Sequence, residues 1–215
     1  MLRKPAESRV LERFGPAASV EDQDWRRSEQ FRPRICRCET GVMQNAPIDE
    51  AAAREFWEQY RAMHPTQATD TEPPPAENFG DHPELTDELL ELVLAGTKRA
   101  TAGLVKEFEL DEQPLPRIGS HWIACDSHGR PRVILRSVEL RIGDFTTVDE
   151  AFAFDEGEGD RSLASWREDH SRYWRRVSAA LGFEWTEQDE IVFERFEVVW
   201  PEAHRDQPVP VVSSA

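Results

Sequence analysis

The chain has 215 residues, a formal net charge of −16 and 39% hydrophobic residues, which is enough for one domain of ordinary size plus extensions. So acidic a balance argues against an extended electrostatic footprint on DNA or RNA, because phosphate contacts supply most non-specific affinity; a small local basic cleft remains compatible with it. Three cysteines without pattern fit a reducing compartment and no apolar run approaches membrane-spanning length, so a cytoplasmic protein without a membrane partner is expected.

In chain order, residues 1–46 read as a largely disordered extension. Pro5, Pro16 and Pro33 interrupt any period, and arginines alternate with acidic residues. Residues 1–42 hold 9 basic and 7 acidic side chains, a net +2, which leaves −18 for the rest. From this change of character Met43 is expected to be the true or an alternative start. Cys36 and Cys38 lie too close together for the usual zinc pair, and the histidines show no paired ligand spacing, so no metal or other cofactor is expected. Residues 47–65 are predicted to form an amphipathic helix, capped by Asp49 and burying Phe56, Trp57, Tyr60 and Met63. A Pro-rich linker over 66–78 follows, with Pro73, Pro74 and Pro75 extended.

The next helix starts at Pro83, a residue suited to a first helical position, and repeats Leu85, Leu89, Leu92 and Val93 on one face. Gly96 stands where a left-handed residue closes a helix. A strand from Ala100 to Val105 is predicted, ended by the charged run from Lys106, so Lys98 lies on a connection and Thr101 just inside a strand. A hairpin then joins His121–Cys125 to Pro131–Leu140 through Asp126 to Arg130, with Cys125 as a buried small hydrophobe. A long helix over Ser162–Leu181 is capped by Ser162, stopped by Gly182 and striped with Trp166, His170, Tyr173, Trp174, Val177 and Leu181. The last strand runs from Ile191 to Trp200, with Glu194, Arg195 and Glu197 expected to face water. A flexible tail over 202–215 ends the chain.

Taken alone, Lys98 and Thr101 suit a structural role, since a lysine past a helix C-terminus stabilises the last carbonyls and a threonine is ordinary strand chemistry. A wider pattern adds to this: Phe79-Gly80-Asp81, Pro83-Glu84-Leu85, the Leu89 to Ala95 helix, Gly96-x-Lys98-x-x-Thr101, Glu156-Gly157-Glu158-Gly159-Asp160 and Glu194-Arg195-Phe196. Together these resemble the ASCH domain family over about residues 79–200, within a domain expected to span 79–201. The resemblance implies an α+β fold, a PUA-like small β-barrel with flanking helices, and a cleft beside the lysine-bearing turn. Some similar proteins are ribonucleases or hydrolyse the amide of N4-acylated cytidine with a lysine, a threonine and a glutamate. Carried over, these roles fall on Lys98, Thr101 and Glu158, with Glu156 the neighbouring candidate; Gly96, Arg99, Glu156, Tyr173 and Trp174 are expected to bind the ligand.

The chemistry is consistent with those residue types. Amide hydrolysis needs a nucleophile, a group that eases its deprotonation and an acid for the departing amine. Thr101 can attack. Lys98 can act as a base if its pKa is lowered from about 10.4, or stabilise an oxyanion if it stays charged. Glu158 can protonate the leaving nitrogen or hold Lys98 as an ion pair. The expected partner is a small nucleoside-like ligand or a short RNA, and the alternatives to an amidohydrolase are a non-catalytic RNA-binding module and a metal-assisted ribonuclease.

Overall fold

Eleven short elements follow one another in the computed structural model, which describes residues 44–206. In chain order they are α1 (Glu50–Met63), β1 (Ala76–Asn78), α2 (Pro83–Leu94), β2 (Ala100–Leu104), α3 (Val105–Leu110), β3 (His121–Cys125), β4 (Pro131–Gly143), a 3-10 turn (Phe145–Thr147), α4 (Glu150–Glu156), α5 (Leu163–Leu181) and β5 (Ile191–Trp200). The expected N-terminal extension, its two cysteines and the Met43 start lie outside the described residues, as does the tail beyond 206. No described helix is long and apolar enough to cross a membrane.

The strands form one five-stranded sheet in the order β1-β3-β4-β5-β2, curled into the half-barrel expected of a PUA-like fold. Its centre is the antiparallel trio β3, β4 and β5. In β4 the register shifts between Ile134 and Leu135 and again between Ser137 and Glu139, which bends the long strand. β2 closes one edge against β5, pairing Ala100 with Arg195 and Thr101 with Glu194.

Side-chain alternation distributes the core over both faces. On one face α1 lays Ala53, Trp57 and Tyr60 against Ile123, Ile134 and Val199. On the other, α2 covers Ala124, Val133, Leu135, Phe196 and Val198 with Leu89, Leu90 and Val93. Around α4 and α5 an aromatic cluster gathers Phe145, Phe152, Trp166, Trp174, Trp185 and Phe193. The predicted helix faces hold with small shifts. Met63 is exposed and Ala53 takes its place inside, while Leu181 is also exposed.

Several expectations are corrected. The segment read as a linker ends in β1, which pairs parallel with β3 from Ala76 to Asn78, and its Ala68 is buried. Val105 begins α3 instead of ending β2, with the Glu107 carboxylate accepting from the Leu104 N–H at 3.1 Å. The start of the tail is tied down: Asp206 accepts from the Val198 N–H at 2.9 Å and from Arg99 Nη2 at 2.7 Å. Glu194 does not face water. It is buried on the α2 face, accepts from Ser137 Oγ at 2.6 Å, and burial pushes its carboxyl above the usual range.

His121, buried under α1 with Nε2 3.4 Å from the Tyr60 hydroxyl, gives a pH prediction. Burial and, after it, the Arg136 charge lower its pKa to about 4 from the ordinary 6.5. The folded state therefore refuses a proton that the unfolded chain accepts, so stability is lost as pH falls from about 6.5 to about 4. The loss is about 3 kcal/mol over that window. Urea unfolding of wild type and His121→Gln at several pH values should show this increment in the wild type and not in the variant.

Candidate active site

Lys98 is placed by two backbone devices. Gly96, at φ +82°, ends α2 and lets the N–H groups of Thr97 and Lys98 both donate to the Leu92 carbonyl, at 2.9 and 3.0 Å. The Arg99 N–H then donates to the Asp155 carbonyl at 2.7 Å, which fastens the turn to the end of α4. Gly157, at φ +75°, lets the acidic loop lie directly on this turn. A Cβ there would fall 2.5 Å from the Thr97 carbonyl oxygen, so only glycine permits the approach.

This approach brings Glu156, at the end of α4, and Glu158, on the following loop, to the lysine. Lys98 is 1% exposed, and its Nζ lies 2.5 Å from Glu158 Oε1 and 3.4 Å from Glu156 Oε2. Glu156 is as buried as the lysine, at 1% side-chain exposure, whereas Glu158 keeps 25% and is the closer partner. Burial alone would lower the Lys98 pKa; the charges of Glu158 and then Glu156 outweigh it and hold the ammonium above its ordinary value. Burial likewise pushes Glu156 up, but Lys98 and then His170 overcome it and bring its pKa down to about 2. His170 Nε2 stands 3.4 Å from the same Glu156 Oε2, and its Nδ1 is 3.0 Å from the Trp166 carbonyl. Among the described residues, Glu156 Oε1 is buried without a hydrogen-bond partner.

The cluster forms one wall of a cleft of about 330 Å³ beside the β2 edge, between α2 and α5. Phe79, Leu85, Leu89 and Leu92 make the apolar wall, and Lys98, Thr101, Glu156, Glu158, His170 and Tyr173 supply the polar one. Thr101 pairs with Glu194, on the sheet face that α2 covers. The Tyr173 phenol is pushed up by burial and so stays protonated as a donor. At the rim Arg172 pairs with Glu168 and Asp169, and Arg176 holds Asp81 through two bonds of 2.9 Å.

Of the residues expected at the site, Lys98, Thr101, Glu158, Glu156 and Tyr173 thus come together around one cleft. Three others lie elsewhere. Gly96 serves the helix stop, and Arg99 turns its guanidinium to the Val93 and Lys98 carbonyls and to Asp206. Trp174 is fully buried in the aromatic cluster and cannot stack on a ligand. His170 joins the site through Glu156. Its place on an aromatic helix stripe suggested core packing, and its ring is indeed stacked on Trp166 at 4.0 Å and 15°. Only its partner at the end of α4 revealed the second contact.

A family model described as the ASCH domain matches residues 76–200. The chain belongs to the ASCH domain family. No curated protein matches it. Among solved structures, this ASCH domain is similar to a crystal structure of an ASCH domain from Lactobacillus crispatus, at 28% identity and a TM-score of 0.64, covering 70% of this chain and 96% of that one. It is also similar to a protein from Enterococcus faecalis, at 29% identity and a TM-score of 0.63, covering 69% of this chain and 88% of that one. The ASCH match begins at β1, so α1 packs onto the domain from outside the matched region. Chemically, the site of this ASCH domain offers a fixed cation, two carboxylates and a hydroxyl in a cleft with one apolar wall.

Proposed function

We propose that this ASCH domain is an amidohydrolase that cleaves the exocyclic amide of an N4-acylated cytidine-type nucleoside. The observation that carries the reading is the buried Lys98, gripped by Glu156 and Glu158 on the wall of a nucleoside-sized cleft that Thr101 shares. The resemblance to lysine, threonine and glutamate amidohydrolases supplies the reaction class.

With two carboxylates around its Nζ, Lys98 favours the cationic role over that of a base. The Thr101 hydroxyl attacks the acyl carbon, and its proton passes to the Glu158 carboxylate. Lys98 faces the oxyanion that forms, and Glu158 returns the proton to the leaving exocyclic nitrogen as the carbon–nitrogen bond breaks. Water then attacks the acyl ester on Thr101, giving its proton to Glu158; collapse releases the carboxylic acid and restores the threonine. One glutamate with partial access to solvent suits both directions of transfer.

A strand of RNA is less well served. The remainder beyond residue 42 carries −18, and the rim arginines are already paired with carboxylates.

The test is release of cytidine and acetate from N4-acetylcytidine by the purified chain. Glu158→Gln is expected to lower kcat by about 10²- to 10⁴-fold, and Thr101→Ala to fall to the same background. Equal turnover by all three proteins would remove both residues from the mechanism. RNA binding that weakens steeply with salt, in a protein without turnover, would move the reading to an RNA-binding module.

A further inference from the structure

The proposed hydrolytic steps leave His170 unused, although it lines the cleft and is only 9% exposed. Both of its ring nitrogens face acceptors. Nδ1 lies 3.0 Å from the Trp166 main-chain carbonyl, which can only accept, and Nε2 lies 3.4 Å from Glu156 Oε2. A neutral imidazole carries one N–H and would turn a lone pair toward one of these oxygens. An imidazolium presents an N–H to both, a hydrogen bond to the carbonyl and an ion pair to the carboxylate. Stacking on Trp166 fixes the ring plane, so the ring meets these partners in a set orientation.

The charged groups around this ring come from three places. Glu156 ends α4, Glu158 lies on the following loop, and Lys98 sits on the turn after α2. On α5 itself, Asp169 and Arg172 pair with each other at 3.2 Å. With a charged His170, the buried cluster holds two cations and two carboxylates. With a neutral one, two carboxylates compete for Lys98 alone, and Glu156 would draw Nζ toward itself.

We propose that His170 is an imidazolium at neutral pH and acts as a positioning residue: it shares Glu156 Oε2 with Lys98, holds that carboxylate ionised, and so keeps Lys98 Nζ directed at Glu158 and the cleft. The direction of the His170 pKa agrees. Burial lowers it, but Glu156 and then Glu158 raise it above 6.5 overall. The imidazolium therefore predominates at pH 6.5 and below and is lost as pH climbs through the raised value, so the site loses its second cation on the alkaline side.

The test is a pH titration of the full chain labelled with 15N-histidine, reading both ring nitrogens by two-bond proton–nitrogen correlation. His170 should show two protonated nitrogens at pH 7, and Glu156→Gln should lower its midpoint by about one unit or more. A neutral His170 at pH 7, or a midpoint unmoved in Glu156→Gln, overturns the proposal. This arm needs no substrate and stands apart from the amidohydrolase reading on which the kinetic arm rests. In that arm, kcat/KM for N4-acetylcytidine should fall in the wild type with the His170 midpoint. His170→Gln, which keeps one donor toward Glu156 but cannot titrate, should lose that limb and retain more activity than His170→Ala; a limb that survives in His170→Gln also counts against it.

Discussion

Lys98→Met is expected to destabilise the domain by about 3–5 kcal/mol, the range for removing one partner of a buried ion pair. The reason is what remains. Methionine fills most of the lysine volume, so the loss comes from Glu156, which is buried and keeps His170 as its remaining close cation, more than from a cavity. The pH dependence separates this cause from poor packing. In the wild type Glu156 is held down to about 2, so its contribution is present above the ordinary 4.5 and is lost as pH falls toward 2. Without Lys98 its carboxyl loses the stronger of the two cations that hold it down. The deficit of the variant should therefore shrink as pH falls and the carboxyl is protonated. Adding Glu156→Gln to Lys98→Met should recover part of the stability at neutral pH without restoring activity. Urea unfolding of the two variants and the wild type at pH 3, 5 and 7 gives the comparison. A deficit under about 1 kcal/mol that ignores pH would mean that the lysine is not bound as described.

Trp57→Ala is expected to cost about 3–5 kcal/mol, as for other buried tryptophans cut back to alanine. Trp57 is 1% exposed and packs with Tyr60 against Ile123, Ile134 and Val199, so α1 belongs to the same core although the family match starts after it. Met63→Ala on the same helix is the control. Met63 is 63% exposed, and its truncation should stay within about 0.5 kcal/mol. Both variants should unfold in a single transition. A small loss for Trp57→Ala would mean that α1 is not docked on the sheet.

How much of this was legible before the structure depended on the range of the interaction. Elements with strong local signals were read closely: α2 from Pro83 and its leucines, α5 from Ser162 and Gly182, and β3 at both ends. β1 escaped because Ala76, Glu77 and Asn78 carry no alternation and form a strand only by pairing with β3. α3 escaped for a related reason. Its charged residues read as the end of a strand, and none of its residues is buried. Glu194 was assigned to water because its fate depends on the sheet face it shares with Thr101 and on Ser137 across the bent β4.

The site follows the same division. Lys98 and Thr101 are close in sequence, and the family pattern named Glu158. The grip of both glutamates on Lys98 spans 58 and 60 residues of chain and depends on Gly157 lying against the turn, which no local propensity encodes. His170 is further removed, since its aromatic stripe gave a sufficient packing reason for it and its charge partner lies on another helix. Trp174 erred in the opposite sense: an aromatic residue on the right helix is turned into the core, about 100° around the helix from its cleft-lining neighbour Tyr173.

The most direct measurement is turnover of N4-acetylcytidine by the wild-type chain, followed by the appearance of cytidine with the Lys98→Met/Glu156→Gln protein as the folded control. Catalytic release of cytidine by the wild type, with none above background from the control, is the predicted result. No release by the wild type, or equal release by both, would contradict the amidohydrolase assignment.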